Sequence, residues 1–148
     1  MALFESEIQG LIYETLIADA VLIDYLGGDG SDGRIYLSLG DSETAKVSES
    51  QPAFIVIETM PIPAPVRLGN GIDNWTERYC LHVFTRPDGR ELRANIEGRF
   101  RADFHRKKFA TSSHIIYHVT EDGREGELTE GGLYDHKYFV SFQFLPKC

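Results

Sequence analysis

Apolar residues at Phe4, Ile8, Leu11, Ile12, Leu16 and Ile17 recur three and four positions apart, the spacing of one buried helical face. The pattern resumes at Ala20, Val21, Leu22, Tyr25 and Leu26 with Asp19 placed to cap the new turn, so the chain is expected to open with a helix broken near Asp19. The period then becomes two. Residues 34–39 alternate as a strand, residues 40–51 are polar and read as a long loop, and Pro52 admits a strand over 53–60 that is apolar on both faces at first, as a central strand is. Residues 60–74 hold Pro61, Pro63 and Pro65 and then Gly69, Asn70 and Gly71, a combination expected to sustain no ladder and to project as a stiff excursion. Residues 75–86 return to alternation, with Trp75, Tyr79, Leu81 and Val83 on one face and Thr76, Arg78, Cys80 and His82 on the other.

A second helix is expected from Asp88, an N-cap with Glu91 as its capping-box partner. Leu92, Ile96, Phe100 and Phe104 form its apolar row, Ala94, Gly98 and Ala102 a row of small residues, and Arg106, Lys107 and Lys108 complement its C-terminal dipole. Arg99 and Asp103 are spaced to pair along it. Strands over 114–120 and 134–144 close the chain, the second with Tyr138, Val140, Phe142 and Phe144 on one face. Between them residues 121–132, with four glycines and five acids, read as a mobile acidic loop. The order is α-β-β-β-α-β-β, an α+β fold with two helices on a mostly antiparallel sheet, and no internal repeat interrupts the reading of residues 1–148 as a single domain.

A chain of 148 residues buries enough surface to stand without staples. Two cysteines, Cys80 and Cys148, do not make a disulfide framework. No apolar run is long enough to span a bilayer, so no membrane partner is expected, and the acidic start of the chain lacks the order of a signal peptide, which points to the cytoplasm. The net charge of -8 speaks against a general nucleic-acid binder, but it is unevenly spread. Residues 86–108 carry eight basic side chains against four acidic ones, a balance of +4, which leaves -12 on the rest of the chain.

The stretch LGGDGSDGRIY contains G-x-G-x-x-G at Gly28, Gly30 and Gly33. A phosphate site needs those glycines between a strand and a helix N-terminus, and here the helix comes first. An EF-hand register with Gly33 at its sixth position supplies one oxygen ligand, Asp32. A helix ending in glycine accounts for the stretch. His114 and His118 would share an ion on a helix but not on a strand, where their spacing separates them by about 13 Å. Cys80 and His82 are same-face neighbours that lack a second ligand pair, so no metal is expected, while His105 and His136 sit among polar residues as solvated side chains. There is no nucleophile elbow, no Walker loop, and the carboxylates fall mostly in loops. Neither an enzyme nor a cofactor is expected. The aromatics fall at strand alternation and belong to a core rather than to a base-stacking surface.

Taken together the chain resembles the tail-completion, or tail-terminator, proteins of long-tailed bacteriophages. The resemblance rests on the N-terminal helices through Leu22 and Leu26, on Gly27, Gly28 and Gly33 leading to Arg34, Ile35 and Tyr36, and on QPAFIVIE over 51–58. It continues through YCLHVF over 79–84, a helix over 90–109 and a closing strand over 139–144. The acidic insert at Asp29 to Asp32 departs from the shorter turn of that pattern.

The resemblance implies a virion protein, assembled in the bacterial host cytoplasm as a ring, expected to be a hexamer, at the head-proximal end of the tail tube. Its implied partners are other copies of itself, the major tail tube protein and a head-connector or stopper protein, with DNA only passing through the lumen. Residues 60–74 and 121–132 are then the expected subunit or tube contacts: Ile62, Pro63, Pro65, Arg67 and Asn70 in the first, Glu125, Glu127 and Glu130 in the second, with Arg90, Arg93 and Arg101 on the basic helix. A ring built from one repeated contact needs two unlike patches per subunit, and opposite charges supply them. Two other readings stay open: a neck or head-closure connector, and a monomeric ligand-binding or hydrolytic α+β domain with a polar pocket.

Overall fold

The structure, a computed structural model of the chain, describes residues 6–28, 33–43, 45–60, 66–67 and 73–147. The opening apolar pattern folds as two helices. In α1 (Glu7–Ile17) the Ser6 hydroxyl accepts from the Gln9 N–H, and in α2 (Ala20–Leu26) the Asp19 carboxylate accepts from the N–H groups of Val21 and Leu22. That second cap restarts the helix after Ala18. At the far end of α2, Gly27 turns left-handed (φ 71°), its N–H donating to Asp24 and the Gly28 N–H to Ile23, which is a Schellman ending. A Cβ on Gly27 would stand 2.1 Å from the Ser50 carbonyl oxygen, so the close approach of another backbone excludes a side chain as firmly as the angle does. The glycine stretch therefore ends a helix, as expected; Asp29 to Asp32 lie outside the described residues, as do Phe4 and Cys148.

The strand expected over 34–39 shortens to β1 (Ile35–Tyr36). Arg34 before it is left-handed (φ 60°) and buried, and its guanidinium donates to the carbonyls of Ala53, Lys46 and Gln51. These bonds tie the loop that precedes the next strand back to the start of β1. β2 (Ala53–Thr59) is followed by β3 (Val66–Arg67), which pairs with Asn74 and Asp73 at the start of β4 (Asp73–Thr85). The proline-rich stretch thus does carry a short ladder, contrary to expectation; residues 61–65 and 68–72 are outside the described set.

The helix α3 (Arg90–Phe104) starts one residue later than the capping box implied, with Gly89 at the N-cap and no side-chain cap bond. Asp88 is exposed, and the turn is held instead by Arg93, whose guanidinium donates to the carbonyls of Arg86 and Pro87. The helix ends at Phe104, so Arg106, Lys107 and Lys108 lie beyond its last turn. After β5 (Phe109–Ala110) come β6 (His114–Leu128) and β7 (Tyr134–Pro146). The largest departure is here. Residues 121–128, read as a mobile loop, continue β6 and pair with β7 from Glu121↔Val140 to Leu128↔Tyr134. An irregularity between Glu121 and Gly123, where Gly123 takes φ 124°, lets the strand shift register and carry on.

Among the described residues the order is therefore α-α-β-β-β-β-α-β-β-β, with three helices rather than two and three more elements than expected. Six strands run β1-β2-β4-β7-β6-β5, and β3 pairs separately with β4. Among the described residues only β1 with β2 is parallel, so the α+β class with a mostly antiparallel sheet stands. The helices cover one face. Ile12, Leu16, Leu22, Ile96, Phe100 and Phe104 meet Ile55, Ile57, Leu81, Val83, Tyr138 and Phe142, all essentially without exposure, each contributing about 1.5–3 kcal/mol through burial. Trp75, expected with this set, is 36% exposed near the start of β4. A smaller cluster of Phe54, Val56 and Phe84 on the opposite face is covered by Tyr36, Ala45, Val47 and Leu133.

Candidate functional site

Strand alternation decides what the uncovered part of that opposite face carries. Glu58 pairs with Cys80 across β2 and β4, His82 pairs with Lys137 across β4 and β7, and Lys137 pairs with Glu125 across β7 and β6. Residues in register share a face, so these side chains meet. They line a groove of about 400 Å³ together with Met60, Leu39, Glu127, Asp135 and Phe139. The floor is fixed by buried polar contacts. Both carboxylate oxygens of Asp135 lie 3.0 and 3.1 Å from His82 Nδ1, and Glu58 Oε1 lies 3.3 Å from His82 Nε2.

Burial alone would lower the pKa of His82, but its bonds with Asp135 and Cys80 outweigh that and push it up to about 10. Glu127 takes the Lys137 ammonium at 2.8 Å on the rim. Sequence reasoning reached Cys80 and His82 and stopped for want of further ligands. Glu58 from β2 and Asp135 from β7 stand beside His82, and only the pairing register, which a single strand does not display, brings them there.

The helical side is built differently. Glu97, buried on α3, accepts from Arg124 at 2.9 Å, pairs with Arg101 at 3.2 Å and faces His136 Nε2 at 3.2 Å. Arg101 also donates two bonds to Glu121, at 2.8 and 3.1 Å. His136 is thus a paired residue and not the solvated one expected. Arg93 is buried, donates to Thr85 at 2.7 Å and stacks over Tyr134 at 4.0 Å. Arg99 bonds Asp19 at 2.8 Å and approaches Asp103 at 3.9 Å.

The basic helix is consequently not one solvated face, because its central cations are bound within the subunit. The exposed positive charge sits before and at its start (Arg86, Arg90) and after its end (Arg106, Lys107, Lys108). Of the expected contact residues, Arg90, Glu125, Glu127 and Glu130 are exposed, whereas Arg93 and Arg101 are engaged internally. Ile62, Pro63, Pro65 and Asn70 lie outside the described residues, and Arg67 is placed on β3. His114 bonds Glu7 at 2.9 Å while His118 is exposed on the other side of a strand irregularity, so they do not converge. Among the described residues no helix is long and apolar enough to cross a membrane.

No family model matches the chain, and no curated protein matches it. Among solved structures, a chain from the virion of a native gene transfer agent particle superposes with a TM-score of 0.68 at 12% sequence identity, over 90% of this chain and 91% of that one. Across nearly their whole lengths the two chains share a fold.

Proposed function

We propose that this chain is a structural component of a phage-like virion, a ring-forming protein that ends the tail tube at its head-proximal end and joins tail to head. The observation that carries this reading is the likeness in fold to a gene transfer agent virion chain over 90% of the sequence. The resemblance of its sequence pattern to tail-completion proteins selects the terminator role from among virion roles. Two physical features suit it. Charge is divided between an acidic hairpin and the basic residues flanking α3, as a contact between unlike patches requires. From His118 to Leu128 the outer edge of β6 pairs with no other strand among the described residues, which offers backbone groups to a neighbouring subunit. The role is mechanical and needs no catalysis.

Light scattering coupled to size exclusion should show a ring-sized oligomer at high protein concentration. Particles produced without this protein should carry overlong tubes and no joined heads in negative-stain images. Normal tails in its absence, or a strictly monomeric protein that turns over a small molecule, would overturn the assignment.

A further inference from the structure

We propose that Glu58, Cys80 and His82 form a zinc-binding site on the open face of the sheet, with Asp135 orienting the histidine. The three ligand atoms, a carboxylate oxygen, a thiol sulfur and an imidazole nitrogen, lie within 4.8 Å of one another. This donor set is the one zinc selects over magnesium or calcium, which take oxygen.

The geometry is specific. Asp135 engages Nδ1 with both oxygens and thereby leaves Nε2 aimed at Glu58 Oε1, 3.3 Å away. Zinc bonds of about 2.0–2.3 Å place neighbouring tetrahedral ligands about 3.3–3.7 Å apart, so the nitrogen and oxygen already stand at the required separation. A carboxylate on the second nitrogen of a metal-bound histidine is the usual outer-shell support. Cys80 and His82 are buried, while the Glu58 side chain is 40% exposed and free to close the remaining distance to the sulfur. The groove beside these ligands also carries Glu125, and the Lys137 ammonium in it is already taken by Glu127. Bound there, zinc would tie β2 to β4 directly and to β7 through Asp135, clipping together three strands at the centre of the sheet.

The test uses the protein freed of metal by chelation, at about pH 8, since metal must displace protons from the thiol and the imidazole to bind. Titration with Co(II) should reach one equivalent per chain and produce a sulfur-to-cobalt charge-transfer band in the near ultraviolet, which zinc then abolishes. Free zinc at about 100 times its Kd should raise Tm by about 5–10 °C. Cys80→Ser should remove the band, and Glu58→Gln, a change at a half-exposed side chain that leaves the fold intact, should weaken binding at least about tenfold. Absence of the band in the unmodified protein overturns the proposal. So does a band that survives Cys80→Ser, which would belong to Cys148, or affinity unchanged in Glu58→Gln. None of these results depends on ring formation, so this inference and the assembly reading fail separately.

Discussion

Asp19 and Asp103 show how one residue type takes opposite roles from its surroundings. Burial would raise Asp19, but bonds from Asp103, Arg99 and the Leu22 N–H hold it below the usual carboxylate range. Asp103 is pushed up to about 7, first by burial and then by its bond with Asp19 and the repulsion of that charge, against opposing pulls from Arg99 and Lys107. Asp103 is thus the more easily protonated of the two, and Asp19 stays the more acidic one, suited to cap α2. Since the folded pKa of Asp103 exceeds its unfolded value of 3.8, the folded state holds the extra proton. Its stabilising share is full below about pH 4 and is lost as pH rises through about 7. Asp103→Asn keeps the donor to Asp19 without the titration. The variant should gain stability relative to the parent as pH rises from 5 to 8, by on the order of 1–2 kcal/mol. Melting temperatures across that range measure it; a difference independent of pH would show that Asp103 ionises normally.

At the scale of elements, the hairpin of β6 and β7 is where sequence and structure part most. Along residues 121–128 nearly every side chain is exposed or only half-buried, so no apolar alternation marks the strand, and what makes it one is the backbone ladder with β7. Where one face was buried, as in the middle of β4 and in β7 from Tyr138 to Phe144, alternation located the strands and their core residues, and the apolar run after Pro52 located β2, which is buried on both faces. The break at Asp19 and the Gly27 ending were legible because caps and glycine turns are local chemistry. The start of α3 was not, since Arg93 reaches back to hold the turn and removes the need for Asp88. The same reach governs the hairpin. Glu97 on α3 holds Arg124 from β6 and His136 from β7, tying the polar ladder to the helical layer. Glu97→Ala removes the buried partner of Arg124 and His136, though Arg124 is 56% exposed and recovers solvation, so the expected loss is about 1–3 kcal/mol rather than the full cost of a buried broken pair. Urea unfolding should show that loss, and hydrogen exchange should quicken first in residues 121–128. Unchanged protection there would mean that the ladder stands without the helix.

For the whole molecule, the decisive quantity is the sign of its response to salt. Copies that each carry a net charge of -8 repel one another, and if that repulsion governed assembly, added salt would strengthen the proposed ring. The layout argues the other way. Exposed Arg86, Arg90, Arg106, Lys107 and Lys108 flank α3 and Glu125, Glu127 and Glu130 mark the hairpin, so a contact that joins one patch to the other is locally attractive and acts over a few ångströms. Raising salt from about 0.1 M to about 1 M shortens the screening length from about 10 Å to about 3 Å, and it should therefore weaken association measured by light scattering. Arg90→Glu separates the contact from the fold. Arg90 opens α3, where a negative charge suits the helix dipole and folding should lose nothing, yet the same reversal places like charges across the proposed subunit contact. The expected result is a monomer with an unchanged or slightly raised Tm. Rings that form as readily in the variant, or that grow stronger with salt, would move the contact away from these two patches and onto the open edge of β6, where backbone hydrogen bonds depend little on charge.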